Sequence, residues 1–284
     1  MRDRFLEILD DSAPPDSMTW LRTVLDEQTE SFQQRAFYYA FSGVSRRFDK
    51  AAAVSEKNDA APGWDHFRIA RVILLLLLAE QEESTFLATY RALLDTADLR
   101  EQIALYSALP WLPCPEELLE STIDGLRTNI VDVFDSIALD NSYPAEHFPE
   151  EAWNQMVLKA IFITRPLHRI VGTEKRRNAA LAEAISDLAH ERWAAGRWIN
   201  PEAWQSVIGF FDDRLVGDMT KVADSGEPED RDAAALVVSE DSSGDLSRLH
   251  PGLEAELSRV KSGKLTWLSL GHAVEAKLER KSLT

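Results

Sequence analysis

The sequence predicts an all-α protein built as an irregular array of antiparallel helical hairpins. Strand-like alternation of apolar and polar residues is nearly absent, and proline and glycine fall between helix-length segments rather than inside them. Short helices joined by brief loops form antiparallel hairpins, and stacked hairpins give an α-solenoid of the HEAT-like kind. Because no strict repeat period is present, a compact helical bundle remains the alternative architecture.

Apolar periodicity and capping residues predict the helices of the first half of the chain. Ser17 and Ser84 are candidate N-caps, since serine side chains accept hydrogen bonds from the first turn of a helix. Loops are expected at residues 10–15 and 50–63. The predicted helices cover residues 18–25, 31–48, 65–81, 84–97 and 99–109.

In the second half, a proline-rich elbow at residues 110–115 precedes residues 116–139, which form either one helix or two. A turn is expected at residues 141–145. A long helix is expected to open at Gly172 and stop at Gly196, and a short one starts at Pro201 with Asn200 as its cap. The remaining predicted helices cover residues 149–165, 215–222, 231–238, 253–260 and 267–278. The composition shifts near Asp212, which predicts a main domain of residues 1–211 and a small C-terminal helical region of residues 212–284.

The predicted helix at residues 149–165 is the centre of the sequence pattern. At about 100° per residue its apolar side chains cover nearly every direction and leave no solvent stripe. Such a helix is expected to lie inside the protein, with neighbours on every side. Its few polar side chains then need partners, because an unpaired buried charge is costly.

The acidic composition excludes some partners. A net charge of −17 argues against binding nucleic acid or inserting into anionic membranes, since both need basic surfaces. The apolar run at residues 72–79 is far shorter than the roughly 20 residues that cross a bilayer. The first residues carry acids where a signal peptide needs an apolar run. We therefore expect a cytoplasmic protein.

Several cations fall on apolar helix faces. Each of them, taken alone, has a structural explanation, because it can pair with a buried acid or lie at a helix end. Together they predict a site for an anionic ligand, which arginine binds through a flat fork and lysine through a point charge. In this hypothesis, nearby amide side chains orient the ligand through hydrogen bonds, and aromatic rings line the sides of the site. The predicted ligand-binding residues are Lys159, Arg127, Arg192, Arg71, Asn154, Gln155, Trp153 and Tyr106.

Other candidate motifs favour structural explanations. Asp132 and Asp135 lie three residues apart but opposite an apolar face, which is typical of a solvated surface. His190 and its neighbouring acids lack the second histidine of a zinc motif. The single cysteine, Cys114, fits a buried structural thiol better than a nucleophile. Since no phosphate loop or nucleophile elbow is present either, we predict no metal, no cofactor and no recognisable catalytic residues.

Two stretches carry a family resemblance. One is Trp-Asn-Gln-Met-Val-Leu-Lys at residues 153–159, and the other is Ala-His-Glu-Arg-Trp-Ala-Ala-Gly-Arg at residues 189–197. With weaker matches near residues 36–42, 104–113 and 133–145, the chain resembles the EboA family over roughly residues 30–210. That family is labelled as metabolite traffic proteins and has no assigned catalytic residues that could be carried over.

The resemblance implies a role in a bacterial operon that processes a small secondary metabolite or moves it towards the periplasm. Its companion proteins are similar to a membrane-embedded prenyltransferase, sugar-phosphate-type enzymes and a phosphodiesterase. The leading expectation is a factor that binds an anionic metabolite or other proteins of the operon. The alternatives are an enzyme of unrecognised type acting on a phosphorylated or prenylated intermediate, and a pure protein-interaction scaffold.

Overall fold

The computed structural model describes residues 1–49 and 61–282. Within these residues every regular element is a helix and no strand is formed, which confirms the all-α class. The choice between a HEAT-like array and a compact bundle stays a prediction. Most of the predicted loop at residues 50–63 lies outside the described residues.

The chain divides into two compact units, Met1–Ile137 and Ala138–Thr284. The predicted boundary after residue 211 does not separate these units, because the described residues from 212 onward pack within the second unit against the segment that precedes them. The limit of the main domain at residue 211 stays a prediction.

The first unit is built around one buried helix. Asp65 caps this helix, its side chain accepting a hydrogen bond from the backbone N–H of Arg68 at 2.7 Å. Nearly every residue that follows is buried, and the helix packs against neighbours on either side. The prediction of a buried helix at residues 65–81 is therefore confirmed by α4, although α4 ends at Leu78, three residues earlier than predicted. The helices of this unit are α1 (Arg2–Asp10), α2 (Pro15–Glu30), α3 (Gln34–Gly43), α4 (His66–Leu78), α5 (Glu83–Thr96), α6 (Leu99–Ser107), α7 (Pro115–Gly125) and α8 (Val131–Ala138), with 3₁₀ turns at Val44–Arg46 and Leu109–Trp111.

The second unit packs its helices around α13 and the 3₁₀ segment that begins at Pro201. Its α-helices are α9 (Tyr143–His147), α10 (Glu150–Phe162), α11 (Ala179–Ala194), α12 (Asp213–Ala223), α13 (Pro228–Glu240), α14 (Glu254–Lys261) and α15 (Trp267–Ser282). The 3₁₀ segments are Leu167–Arg169, Pro201–Val207 and Ser247–Gly252.

Two predicted helix boundaries in this unit are confirmed. Asn200 caps the segment Pro201–Val207, since its Oδ1 accepts a hydrogen bond from the N–H of Glu202 at 3.0 Å. Gly196 lies just past α11 with φ +65°, the left-handed conformation that ends helices and suits glycine.

Other predicted helix boundaries in the first unit were wrong. The helix α1 was not predicted, and α2 starts at Pro15, three residues earlier than expected. Ser17 is buried inside α2, where its hydroxyl donates to the backbone carbonyl of Arg47 rather than capping the helix. Ser84 likewise falls inside α5, which begins at Glu83.

In the middle of the chain, residues 116–139 form two helices, α7 and α8, which is one of the two predicted alternatives. The predicted turn at residues 141–145 was wrong, because it contains α9. The helix expected from Gly172 begins only at Ala179. Asn178 is its cap, and the Asn178 side chain accepts a hydrogen bond from the N–H of Leu181 at 2.9 Å. An asparagine cap explains this later start.

The central helix α10 is not surrounded on every side. Its residues Trp153, Met156 and Ala160 are buried, but Gln155 is exposed and Phe162 is 59% exposed. The expectation of a fully interior helix was therefore wrong. The apolar residues on its open side line a surface groove instead of a core.

Candidate functional site

A cavity of about 390 Å³ in the second unit combines aromatic walls with basic side chains. We call it the tryptophan cavity. It is built from the end of α11, from α12 and the loop after it, and from α13 and α15. Its main lining residues are Trp193, Arg197, Trp198, Lys221, Glu227, Asp230 and Lys277.

The turn after α11 positions the two tryptophans. Gly196, at φ +65°, ends α11, and Trp198 two residues later lines the cavity together with Trp193. The ring of Trp193 stacks on that of the fully buried Trp204, with ring centroids 5.9 Å apart and planes inclined by 25°. This stacking gives the cavity a fixed aromatic wall, a surface on which flat rings and cations bind well.

Two exposed cations border this aromatic wall. The Nζ of Lys221 lies 3.9 Å from the centroid of the Trp193 ring, a cation–π contact. Among the described residues, no carboxylate lies within ion-pair distance of Lys221 or of Arg197. Lys277 differs, since its Nζ lies 2.6 Å from carboxylate oxygens of both Glu227 and Glu229. Lys221 and Arg197 are therefore not held by an ion pair with any described carboxylate, although the chain is rich in acids.

Asp230 supplies an acid to the same cavity. Its Oδ2 accepts a hydrogen bond from the hydroxyl of Ser225 at 2.8 Å. Burial raises the pKa of Asp230 and outweighs the opposing effects of that hydrogen bond and of the positive charge on Lys277. Asp230 is thus a weaker acid than an ordinary aspartate.

Two of the predicted ligand-binding residues of the first unit, Arg71 and Tyr106, contact other protein groups. Arg71 is 1% exposed, its Nε donates to the carbonyl of Phe41 at 3.2 Å, and its guanidinium lies 3.8 Å from Glu101. Burial lowers the pKa of Arg71, partly offset by the charge of Glu101. Tyr106 is buried and donates to the carbonyl of Ser121 at 3.4 Å. Arg71 and Tyr106 thus belong to the interior of their unit.

Tyr106 leads to a prediction about alkaline stability. Burial, aided by the charge of Asp124, raises the pKa of Tyr106 from 10.0 to about 12. Between these pH values the folded protein keeps a proton that the unfolded chain loses, so we expect stability to fall as the pH rises from about 10 to about 12. Urea midpoints measured across this range for the wild type and for Tyr106→Phe test it. The fall should be smaller in the variant, and parallel curves would contradict the prediction.

Arg127 does not point inward, contrary to expectation. Its side chain is 80% exposed and pairs with Asp124 at 2.9 Å. Because α7 ends at Gly125 and α8 starts only at Val131, Arg127 is not in helical register with the apolar residues that follow. It borders a shallow groove between α5 and α7, which we call the α5–α7 groove. This groove is lined by Arg91, Leu94, Asp95, Glu116, Glu117, Leu119, Glu120, Ser121, Ile123, Asp124 and Arg127.

Most predicted site residues of the second unit contact other protein groups. Trp153 is completely buried, and the guanidinium of Arg176 lies 5.1 Å from its ring centroid. Asn154 exchanges amide hydrogen bonds with Asn178, at 3.1 and 2.8 Å. The exposed Gln155 donates to Glu151 at 3.2 Å.

The Nε of Arg192 donates to the carbonyl of Trp198 at 2.7 Å, just beyond the end of α11. This is the helix-end role that its position allowed, since positive charge is favoured at a helix C-terminus. Arg192 is thus a neighbour of the tryptophan cavity, because it fixes the backbone of one of the cavity's aromatic residues.

Lys159 lies in a second, mostly apolar groove between α10 and α11, which we call the α10–α11 groove. Burial lowers the pKa of Lys159. The volume of this groove is about 500 Å³, and its lining residues are Leu158, Lys159, Phe162, Ala184, Asp187, Leu188 and Glu191. Of the predicted ligand-binding residues, Lys159 alone lines this groove and Arg127 alone lines the α5–α7 groove, and the tryptophan cavity contains none of them.

Sequence reasoning missed the residues of the tryptophan cavity. One signal for them was present, because Trp193, Gly196 and Arg197 belong to the stretch at residues 189–197 that carries the family resemblance. Lys221, Asp230 and Lys277 left no such signal, since they come from separate helices that only folding brings together.

The motifs rejected from the sequence have other roles. The Nε2 of His190 lies 2.6 Å from Asp218, and Asp187 pairs with Arg214 at 2.7 Å. Within residues 1–49 and 61–282, no group of three or more histidine, cysteine or acidic side chains is arranged to hold a metal ion. Partial burial, followed by the charge of Glu83, raises the pKa of Cys114, which is the opposite of what a thiolate nucleophile needs.

No helix in the described part of the chain is both long enough and apolar enough to cross a bilayer.

Comparison with known proteins gives one match. The family described as "Metabolite traffic protein EboA" matches residues 1–208 of the chain. The match includes α10, α11 and the tryptophan-bearing turn after α11. No curated protein matches, and no solved structure matches.

Proposed function

Because the chain belongs to the EboA family of metabolite traffic proteins, we propose that it binds a small anionic metabolite in the tryptophan cavity. The observation that carries this proposal is that two cations, Arg197 and Lys221, line one cavity together with Trp193, whose ring Lys221 contacts. Neither cation is ion-paired to a described carboxylate in a protein whose net charge is −17.

The chemistry of the cavity defines the class of ligand. Arginine binds carboxylate or phosphate oxygens through two parallel hydrogen bonds, and lysine adds a point charge. The indole side chains of Trp193 and Trp198 give the cavity an aromatic lining that suits a compact apolar body. The volume of about 390 Å³ is that of a typical small-molecule site. We therefore propose a metabolite with one anionic group on a compact unsaturated or apolar body.

In the cell, we propose a cytoplasmic role in making a secondary metabolite or passing it towards the periplasm, in concert with other proteins of the same bacterial operon. The family name supports metabolite traffic. Binding without turnover is the form we favour, and catalysis on a phosphorylated or prenylated intermediate is the alternative.

A second candidate position is the α10–α11 groove. The apolar side chains of Leu158, Phe162 and Leu188 surround Lys159 there, and Phe162 is 59% exposed. Lys159 was among the predicted ligand-binding residues, and its lowered pKa supports an apolar environment around its ammonium group. A metabolite with a longer apolar body fits this groove better than the smaller tryptophan cavity.

The test is native mass spectrometry of the full chain purified from a host that expresses its operon. We expect a retained small-molecule mass in the wild type and its loss in Arg197→Ala combined with Lys221→Ala. Losing two charge-assisted contacts, at about 1.5–3 kcal/mol each, weakens binding by roughly a hundredfold or more. Lys159→Ala, measured in parallel, reports on the α10–α11 groove.

The matched control is Lys261→Ala, an exposed lysine on α14 that lies outside the cavity. It should retain the mass. Circular dichroism must show all variants folded. Retention in the double variant with loss in Lys159→Ala would move the site to the α10–α11 groove. No retained mass in the wild type would favour the scaffold, and a converted mass would favour the enzyme.

A further inference from the structure

The α5–α7 groove in the first unit has a composition opposite to that of the tryptophan cavity. Its volume is about 930 Å³, and five carboxylates and two guanidinium groups surround it. The two guanidiniums are already engaged, since Arg91 pairs with Glu117 at 2.8 Å and Arg127 with Asp124 at 2.9 Å. The groove thus has a formal excess of three negative charges.

Three carboxylates on the rim are not committed to ion pairs. Asp95, Glu116 and Glu120 are exposed, and no cation of the described residues lies within ion-pair distance of them. Because Glu116 and Glu120 are four residues apart on α7, both carboxylates lie on the same side of that helix. Like charges on adjacent turns repel one another, and a positively charged partner relieves that repulsion.

The floor of the groove is aliphatic. Leu94 on α5 and Leu119 and Ile123 on α7 are each half-buried and line the groove. Leu119 and Ile123 are again one turn apart, so the floor follows the length of α7. With 11 residues, α7 is about 16 Å long. An aliphatic floor with this repeat fits side chains spaced three and four residues apart on a partner helix.

From this arrangement, we propose that the α5–α7 groove docks an amphipathic helix of a partner protein, with lysine or arginine residues flanking an aliphatic face. Charge complementarity identifies the occupant, because the rim repels anions and a purely apolar segment leaves the rim carboxylates without counter-charges. The groove makes no use of the tryptophan cavity, so this proposal does not depend on the proposed metabolite.

The test uses the intact protein and a labelled helical peptide of leucine and lysine, about 18 residues long, with its leucines on one face. Fluorescence anisotropy measures binding to the wild type and to Glu116→Gln combined with Glu120→Gln. We expect the double variant to bind about tenfold more weakly. The matched control is Asp26→Asn combined with Glu30→Gln, which removes two exposed acids at the same spacing from α2.

Two further measurements separate docking from general attraction to an acidic protein. Leu119→Gln should also weaken binding while leaving the charge unchanged, and a peptide with serine in place of leucine should bind poorly. Equal losses in the α7 and α2 variants would overturn the proposal, as would undiminished binding of the serine peptide.

Discussion

Replacing Arg71 by alanine is expected to lower the free energy of unfolding by about 3–5 kcal/mol. Arg71 is 1% exposed, and its guanidinium lies 3.8 Å from Glu101, which is itself 9% exposed. Removing Arg71 leaves the largely buried Glu101 carboxylate without its cation, and among the described residues only the backbone N–H of Asp98, at 3.0 Å, still donates to it. The side chain also lies against the rings of Phe41 and Phe67, at 5.6 and 5.7 Å from their centroids, so truncation opens a cavity as well.

Urea denaturation of the full chain measures this loss, and Arg127→Ala is the matched control. Arg127 is an arginine of the same unit that is 80% exposed and paired only with an exposed aspartate, so its removal should change the unfolding midpoint little. Arg71→Met, which restores volume but not charge, should fall between alanine and the wild type. Equal midpoints for Arg71→Ala and Arg127→Ala would show that the buried pair contributes nothing.

The second large effect is expected for Trp153→Ala, at about 3–5 kcal/mol of lost stability. Trp153 is completely buried in α10, and it supports Arg176, whose guanidinium lies 5.1 Å from the ring centroid. Arg176 in turn donates to the carbonyls of Ala145 and Phe148, at 2.8 Å each. Loss of the indole therefore creates a cavity and loosens the link between α10 and the segment around α9.

Trp153→Phe should be markedly less destabilising. The indole N–H has no hydrogen-bond partner among the described residues, so phenylalanine loses ring volume but no polar contact. Gln155→Ala, an exposed position on the same helix, is the control and should leave the urea midpoint nearly unchanged. A Trp153→Ala protein of wild-type stability would contradict a core role and return Trp153 to the list of ligand-binding residues.

The comparison of Arg71 with Arg127 shows when sequence periodicity predicts correctly that a side chain is buried. Both arginines share a helical face with apolar residues in the sequence pattern, and both were predicted to point inward. The prediction succeeded for Arg71 because α4 is continuous and its cap at Asp65 is local. It failed for Arg127 because α7 ends at Gly125 and α8 begins only at Val131. Arg127 therefore lies outside both helices, and helical periodicity does not apply to it.

Helix starts show the same limit. Asn200 and Gly196 were correctly assigned because their side chain or backbone conformation satisfies neighbouring groups within a few residues. Ser17 and Ser84 are also residues of a type that caps helices. The hydroxyl of Ser17 instead donates to the backbone carbonyl of Arg47, thirty residues away. A serine side chain does not cap a helix when its hydroxyl donates to an acceptor that is distant in the sequence.

The sequence by itself determined the all-α class, the buried helix α4 and the family, because composition, apolar periodicity and contiguous motifs are properties of neighbouring residues. Only the tertiary structure brings together the cations that we propose as ligand-binding residues. Lys221, Asp230 and Lys277 join Trp193 and Arg197 from separate helices. Their proximity depends on how those helices pack, and packing is set by the shapes of all the buried side chains together, which no short stretch of sequence contains.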